Sequence, residues 1–240
     1  MGRGSGSIPL HVDVEVPQLP PFTPQPAFVN VKECGALGNG INDDTLAITL
    51  AISALPNKGG ILYFPPGTYP ISSMLNFNEF QGLVIRGAGG VSANGGASII
   101  KYTGKTATSI ISARSTTGVT LIDITIGYTS IEWTGTMVDL SATGEVGKSA
   151  GRGLDTQLAT LQRIFLTSLG GSFTNCERGV LLDHALNVKI QDSNITSCTT
   201  GVVGRINNET YSNTISITGT RFGSNVTHSS GAGQAWTYSS

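Results

Sequence analysis

Side chains with catalytic potential are sparse in this sequence. Its three histidines are His11, His184 and His228, and one follows an acid directly: Asp183-His184 in LLDHALNVKIQDSNI, with Asp192 eight residues beyond the histidine. Hydrolysis of a glycosidic bond requires two carboxyl groups at a fixed gap of roughly 5 to 9.5 Å. Asp183, His184 and Asp192 are therefore the candidate catalytic residues. The plainer reading makes Asp183 a turn residue and His184 a solvent-exposed one. The remaining acids of the same half, Asp123, Glu132, Asp139, Glu145, Asp155, Glu177 and Glu209, are dispersed.

Asp123 and Arg163 occupy equivalent places in the similar segments TLIDITI and TLQRIFL, which makes a surface ion pair between them conceivable, in a structural role. Trp133 and Trp236 have faces that stack on sugar rings, but packing at a loop or subunit interface is favoured for both. Cys34, Cys176 and Cys198 are too few and too scattered for a disulfide framework or a zinc site, and read as small buried hydrophobes. No cofactor or metal is expected.

The composition narrows what can position these groups. There are 32 glycines and only 12% charged residues, against roughly 25% charged in ordinary globular domains. Many tight turns and little helical surface follow. A hydrophobic content of 39% supplies a core. A net charge of −1 gives no electrostatic case for nucleic acid or an anionic membrane. The opening MGRGSGSIPLHVDVEV has no apolar core of a signal peptide, and no apolar run approaches a membrane span. Neither export through a signal nor membrane insertion is expected. The sequons at Asn194, Asn208 and Asn225 then read as chance.

Four stretches follow one another. Residues 1–27 form an extended arm with five prolines between Pro17 and Pro26. Alone it cannot bury enough apolar surface to order itself, so a partner subunit or larger particle is expected to hold it through Pro17, Leu19, Pro20, Pro21, Phe22, Pro24, Pro26 and Phe28. Residues 28–80 read as strand, turn, helix and strand. Val29 to Cys34 is a strand and GALGNG a turn. NDDTLAITLAISAL is a helix with Asn42 as N-cap, Asp43 and Asp44 in the first turn, and Ile48, Ile52 and Leu55 on one face. ILYF, the PPG turn and TYPIS then follow. Residues 81–228 are coils, and 229–240 a loose or docked tail.

In order over residues 29–72, the segments VNVKECGALGNGINDDTLAITLAISAL and GGILYFPPGTYPIS resemble the opening of the pectate-lyase-like β-helix superfamily, the form shared by many phage tailspikes. The resemblance implies an all-β fold, a short right-handed parallel β-helix whose helix caps the open first coil. In that comparison Asp43 and Asp44 belong to the cap and not to a catalytic site.

The rest of the chain repeats as such a solenoid should. TLIDITIGYTS and TLQRIFLTSLG stand 40 residues apart, NVKIQDSNITS and NTISITGTRFGS about 26 to 27, and FTNCERGVLLD and ITSCTTGVVGR 22. Six or seven coils fit between residues 60 and 225, a column on the order of 30 Å tall. Val188, Ile190, Ile195, Ile215, Ile217 and Phe222 point inward. Residues 141–155 break the pattern and are expected to loop out as a contact surface.

Enzymes on this fold use Asp/Glu pairs for hydrolysis, or a Ca²⁺ site with a basic residue for β-elimination. The polygalacturonase-type motifs Asn-x-Asp, Asp-Asp, Gly-His-Gly and Arg-x-Lys do not occur on successive coils. Asp183-His184 is similar to a pectate lyase strand motif carrying Ile-Asp-His, without its preceding aromatic residue or following Asp-Gly. The resemblance thus implies a virion protein: a trimeric, tailspike-like β-helix fixed to a phage particle by its arm, as head decoration or as a tail fibre or spike component. A polysaccharide depolymerase or lyase is the second expectation. A non-catalytic module that binds host glycan is the third.

Overall fold

The computed structural model describes residues 27–56, 58–89, 97–142, 156–171, 175–205, 213–223, 227–230 and 236–239. Its strands wind through three parallel sheets, one strand of each per turn. The first sheet runs through Phe28–Asn30, Lys58–Phe64, Gln81–Gly87, Thr120–Ile122, Thr160–Gln162, Ala185–Gln191, Asn213–Thr218 and Trp236–Ser239, with Thr156–Gln157 beside the sixth. The second runs through Gly67–Ile71, Ser98–Tyr102, Thr125–Tyr128, Phe165–Ser168, Asn194–Thr196 and Arg221–Gly223. The third runs through Leu75–Asn76, Ser109–Ser112, Thr136–Asp139, Cys176–Asp183, Cys198–Arg205 and Thr227–Ser230. This is a parallel β-helix.

Register follows the sequence repeats. Thr120 lies opposite Thr160 and Leu121 opposite Leu161, the spacing of 40 read from the sequence. Ile190 faces Ile217, 27 residues on, and Cys176 faces Cys198, 22 residues on. Parallel pairing puts like positions above one another, so each inward aliphatic builds a column. Val29, Leu62, Ile85, Leu121, Leu161, Ile190 and Ile217 form one in the first sheet, all buried. Tyr69, Ile100, Ile126, Leu166 and Ile195 form another in the second sheet. Each buried side chain contributes about 1.5–3 kcal/mol, yet none finds a buried environment within its own turn. Stability therefore belongs to the stack.

At the N-terminal end the first column is closed by a helix, α1, Thr45–Ser53, which buries Ile48, Ala51 and Ile52. Two local expectations are corrected there. Only Phe28–Asn30 is strand, and Val31–Cys34 is a 3-10 helix. The Asn30 side chain accepts the Lys32 N–H at 3.0 Å, and Gly35 at φ 100° closes the turn. The helix starts later than expected: Asp44, not Asn42, is its N-cap, while Asn42 accepts from the Asn39 amide. Asp44 is buried and accepts the N–H groups of Leu37 and Gly38 at 2.7 and 3.0 Å, and its own N–H reaches Pro70 O at 2.8 Å. One residue thus ties the glycine-rich turn, through its carboxylate, and the second sheet, through its N–H, to the start of α1.

Strand pairing continues past residue 228: Ile215 lies opposite Trp236 and Ile217 opposite Tyr238, so the stretch expected as a tail holds a further rung. Trp133 packs from a loop, as expected. It is buried between the rings of Tyr102 and Tyr128, 5.2 Å from each, and its indole N–H donates to Ala107 O at 2.6 Å. The loop expected at 141–155 lies, from 143 onward, outside the described residues.

Candidate functional site

The corners between the first and second sheets carry charged side chains on successive rungs. Asp123, Arg163, Asp192 and Gly219 sit at equivalent corners, each with positive φ, at 58°, 49°, 49° and 57°. A left-handed residue turns the chain sharply from one sheet into the next, and Asp adopts it more readily than most non-glycine residues. Backbone bonds connect the corners from rung to rung: Asp123 N to Gln162 O at 3.2 Å, Arg163 N to Gln191 O at 3.1 Å, and Asp192 N to Thr218 O at 3.0 Å.

Asp, Arg and Asp therefore stack in that order. Arg163 donates through Nε and a terminal nitrogen to both oxygens of Asp123, at 2.7 and 3.0 Å. The Asp123 hydrogen bond, with attraction from Asp123 and Asp192, holds the guanidinium still more firmly protonated than usual. Asp123 and Asp192 stand two rungs apart, about 10 Å at the usual strand spacing. That is close to the gap of an inverting glycosidase, but the intervening rung carries Arg163. A bidentate guanidinium ties up the Asp123 carboxylate that would otherwise serve as base.

The candidate pair is not assembled. Asp183 ends the strand Cys176–Asp183, and His184 is a left-handed corner at φ 56°. Asp192 lies at the far end of the strand Ala185–Gln191, about 25 Å from His184 at some 3.3 Å per residue. Asp183 is half-buried, and its Oδ1 finds no hydrogen-bond donor among the described residues. His184 is half-buried too, rather than solvent-exposed.

Other acids are engaged structurally. Glu132 pairs with Lys105 at 2.7 Å, Glu177 with Arg178, and Asp139 accepts from the N–H and hydroxyl of Ser141 at 2.9 and 2.6 Å. Glu145, Asp155 and Glu209 lie outside the described residues. So do the arm positions Pro17, Leu19, Pro20, Pro21, Phe22, Pro24 and Pro26; Phe28 is half exposed, its ring against Tyr63. Among the described residues no three His, Cys, Asp or Glu side chains gather as a metal site, and no helix is long and apolar enough to cross a membrane.

Sequence reasoning passed over a groove of about 500 Å³ between α1 and the turn after Leu75–Asn76, lined by Thr49, Ile52, Ser53, Met74, Asn76, Asn78, Glu79 and Phe80. Its one sequence signal is the polar run NFNEF at residues 76–80, bracketed by buried Leu75 and half-buried Phe80.

The family described as rhamnogalacturonase A/epimerase, pectate lyase-like, matches residues 28–116. Mannuronan C5-epimerase AlgE6 of Azotobacter vinelandii is 51% identical over 45 residues, 18% of this chain and 5% of that protein. ORF18 of Geobacillus virus E2 superposes with a TM-score of 0.60 at 20% identity, over 87% of this chain and 41% of that one. The A-module of the Azotobacter vinelandii mannuronan C-5 epimerase AlgE4 gives 0.60 at 22% identity, over 84% and 52%. The chain thus spans a small part of the curated relative and about half of these solved chains. The family match covers the cap segment and the first rungs, and the parallel β-helix fold is shared with both solved structures.

Proposed function

We propose that this chain is a non-catalytic, tailspike-like β-helix of a virion, held to its particle by the arm of residues 1–27 and assembled as a homotrimer. The observation that carries this reading is the Asp123, Arg163, Asp192 ladder: two acids two rungs apart are separated by an arginine that holds both oxygens of one of them. Of the remaining described acids of the coils, Glu132, Asp139 and Glu177 serve local contacts, and Asp183 lies one rung from Asp139, whose carboxylate is taken by Ser141. The fold likeness to a protein of Geobacillus virus E2 supports the same reading. Attachment to the head or to the tail fits it equally.

Incorporation of a chain lacking residues 1–27 into its particle tests the proposal. The truncated chain should keep its β-rich circular dichroism and cooperative melting while failing to enter the particle; normal incorporation would overturn the anchor role. Sedimentation equilibrium of the intact chain should give three times the mass of the monomer.

A second reading, an enzyme acting on polysaccharide, draws on the match to the rhamnogalacturonase A/epimerase family over residues 28–116. Release of reducing ends or unsaturated products from acidic polysaccharide would favour it over the first.

A further inference from the structure

The groove beside α1 has walls of complementary hydrogen-bonding character. Asn76 Oδ1 accepts the Asn78 N–H at 2.9 Å, and Asn78 Oδ1 accepts the Ser112 hydroxyl and the Arg114 N–H at 2.8 and 2.9 Å. Both carboxamide oxygens are thereby committed. Their NH₂ groups have no acceptor among the described residues, so each can donate into the groove. On the opposite wall the Thr49 and Ser53 hydroxyls donate back to the carbonyls of Thr45 and Thr49, at 2.8 and 2.9 Å, and keep lone pairs to accept with. Glu79 adds an exposed carboxylate, and Ile52 and Phe80 an apolar floor.

The walls are fixed before any ligand arrives. Phe77 is fully buried, its N–H bonds Ser112 O at 2.7 Å, and the Glu79 N–H bonds Arg114 O at 2.9 Å. α1 is seated on the core by Ile48 and Ile52. A groove of this volume falls in the range of small-molecule sites, about 300–1,000 Å³.

Donors on one wall, acceptors on the other and an apolar floor match a sugar, which presents hydroxyls at its edge and C–H groups on its face. The sign of charge narrows the class. Among the described residues Glu79 is the only charged side chain lining the groove, so a uronate would meet repulsion from it. We infer that this groove is a binding site for neutral glycan, an unassigned site at the capped end of the column. The inference makes no use of particle attachment, so it stands or falls separately from the virion reading.

Isothermal titration of the intact chain with laminaritriose, N-acetylglucosamine trisaccharide and trigalacturonate tests it. At least one neutral trisaccharide should bind in the millimolar range or tighter, and more strongly than trigalacturonate. Asn76→Asp keeps the acceptor for the Asn78 N–H but removes the donors, and should weaken that binding about tenfold. Glu79→Gln removes the negative charge and should narrow the gap between neutral sugar and trigalacturonate. Circular dichroism and the melting midpoint check that both variants fold. The site is overturned if neither neutral trisaccharide binds, if trigalacturonate binds best, or if both variants bind as the parent does.

Discussion

Cys176 and Cys198 stand one above the other in parallel register on adjacent rungs, both buried. The shared hydrogen bond with Cys176, together with burial, pushes the Cys198 thiol well above its ordinary value. Close by, Tyr128 donates its hydroxyl to Ser197 O at 2.7 Å and accepts the Cys176 N–H at 3.3 Å. Burial pushes this phenol up as well. The interior of these rungs therefore favours uncharged sulfur and oxygen.

A pH dependence with a definite sign follows. In the unfolded chain the thiol ionises near 9.0 and the phenol near 10.0, while in the fold both keep their protons to higher pH. The native state then binds more protons than the unfolded one, so stability from these groups is complete below pH 9 and falls as pH rises beyond it. Asp43 acts at the other end. Burial alone would raise its carboxyl, but hydrogen bonds from Ser72 and Thr45 hold it below the usual range. Its contribution is complete above its ordinary value of 3.8 and is lost as pH falls below it. Urea midpoints should be flat from about pH 5 to 8.5 and decline on both sides; rising stability above pH 9 would contradict the assignment.

Asp44→Ala should remove about 2–3 kcal/mol, because one buried carboxylate receives two backbone N–H groups of the turn that the cap rests on. Asp44→Asn keeps one acceptor and should recover part of the loss. Urea unfolding of the three proteins gives the comparison directly.

Gly179→Ala should cost about 1–3 kcal/mol by overpacking. A Cβ there would meet Gly201 O at 2.5 Å and an Ile195 methyl at 2.6 Å, and the carbonyl belongs to the next rung. Gly89→Ala makes the control, since a Cβ at Gly89 meets nothing within 4 Å and only its φ of 89° opposes the change. Thermal melts should rank Gly179→Ala below Gly89→Ala.

Asp183→Asn should leave stability unchanged or raise it by up to about 1 kcal/mol, since it removes a charge whose Oδ1 is buried without a donor among the described residues. Any cleavage of host glycan should be unaffected by the same change. A fall in either measurement would give Asp183 a role that its position at the end of its strand does not.

The sequence by itself determined the stack. Spacings of 40, 27 and 22 residues reappear as strand register at Thr120 and Thr160, at Ile190 and Ile217, and at Cys176 and Cys198, because parallel rungs place like side chains over like. The equivalence of Asp123 and Arg163 in aligned segments likewise foretold their ion pair. Tertiary structure decided what depends on more than one rung at once. Val31–Cys34 has strand-like residues but closes as a 3-10 turn between Asn30 and Gly35, and Trp133 enters the core because Tyr102 and Tyr128 leave a slot with the Ala107 carbonyl at its end. The groove beside α1 exists only because Phe77 pins the turn while the helix docks across it. A repeating pattern specifies register, since register is a property of spacing; the distance between a cap and the rung it covers is set by packing, which spacing does not encode.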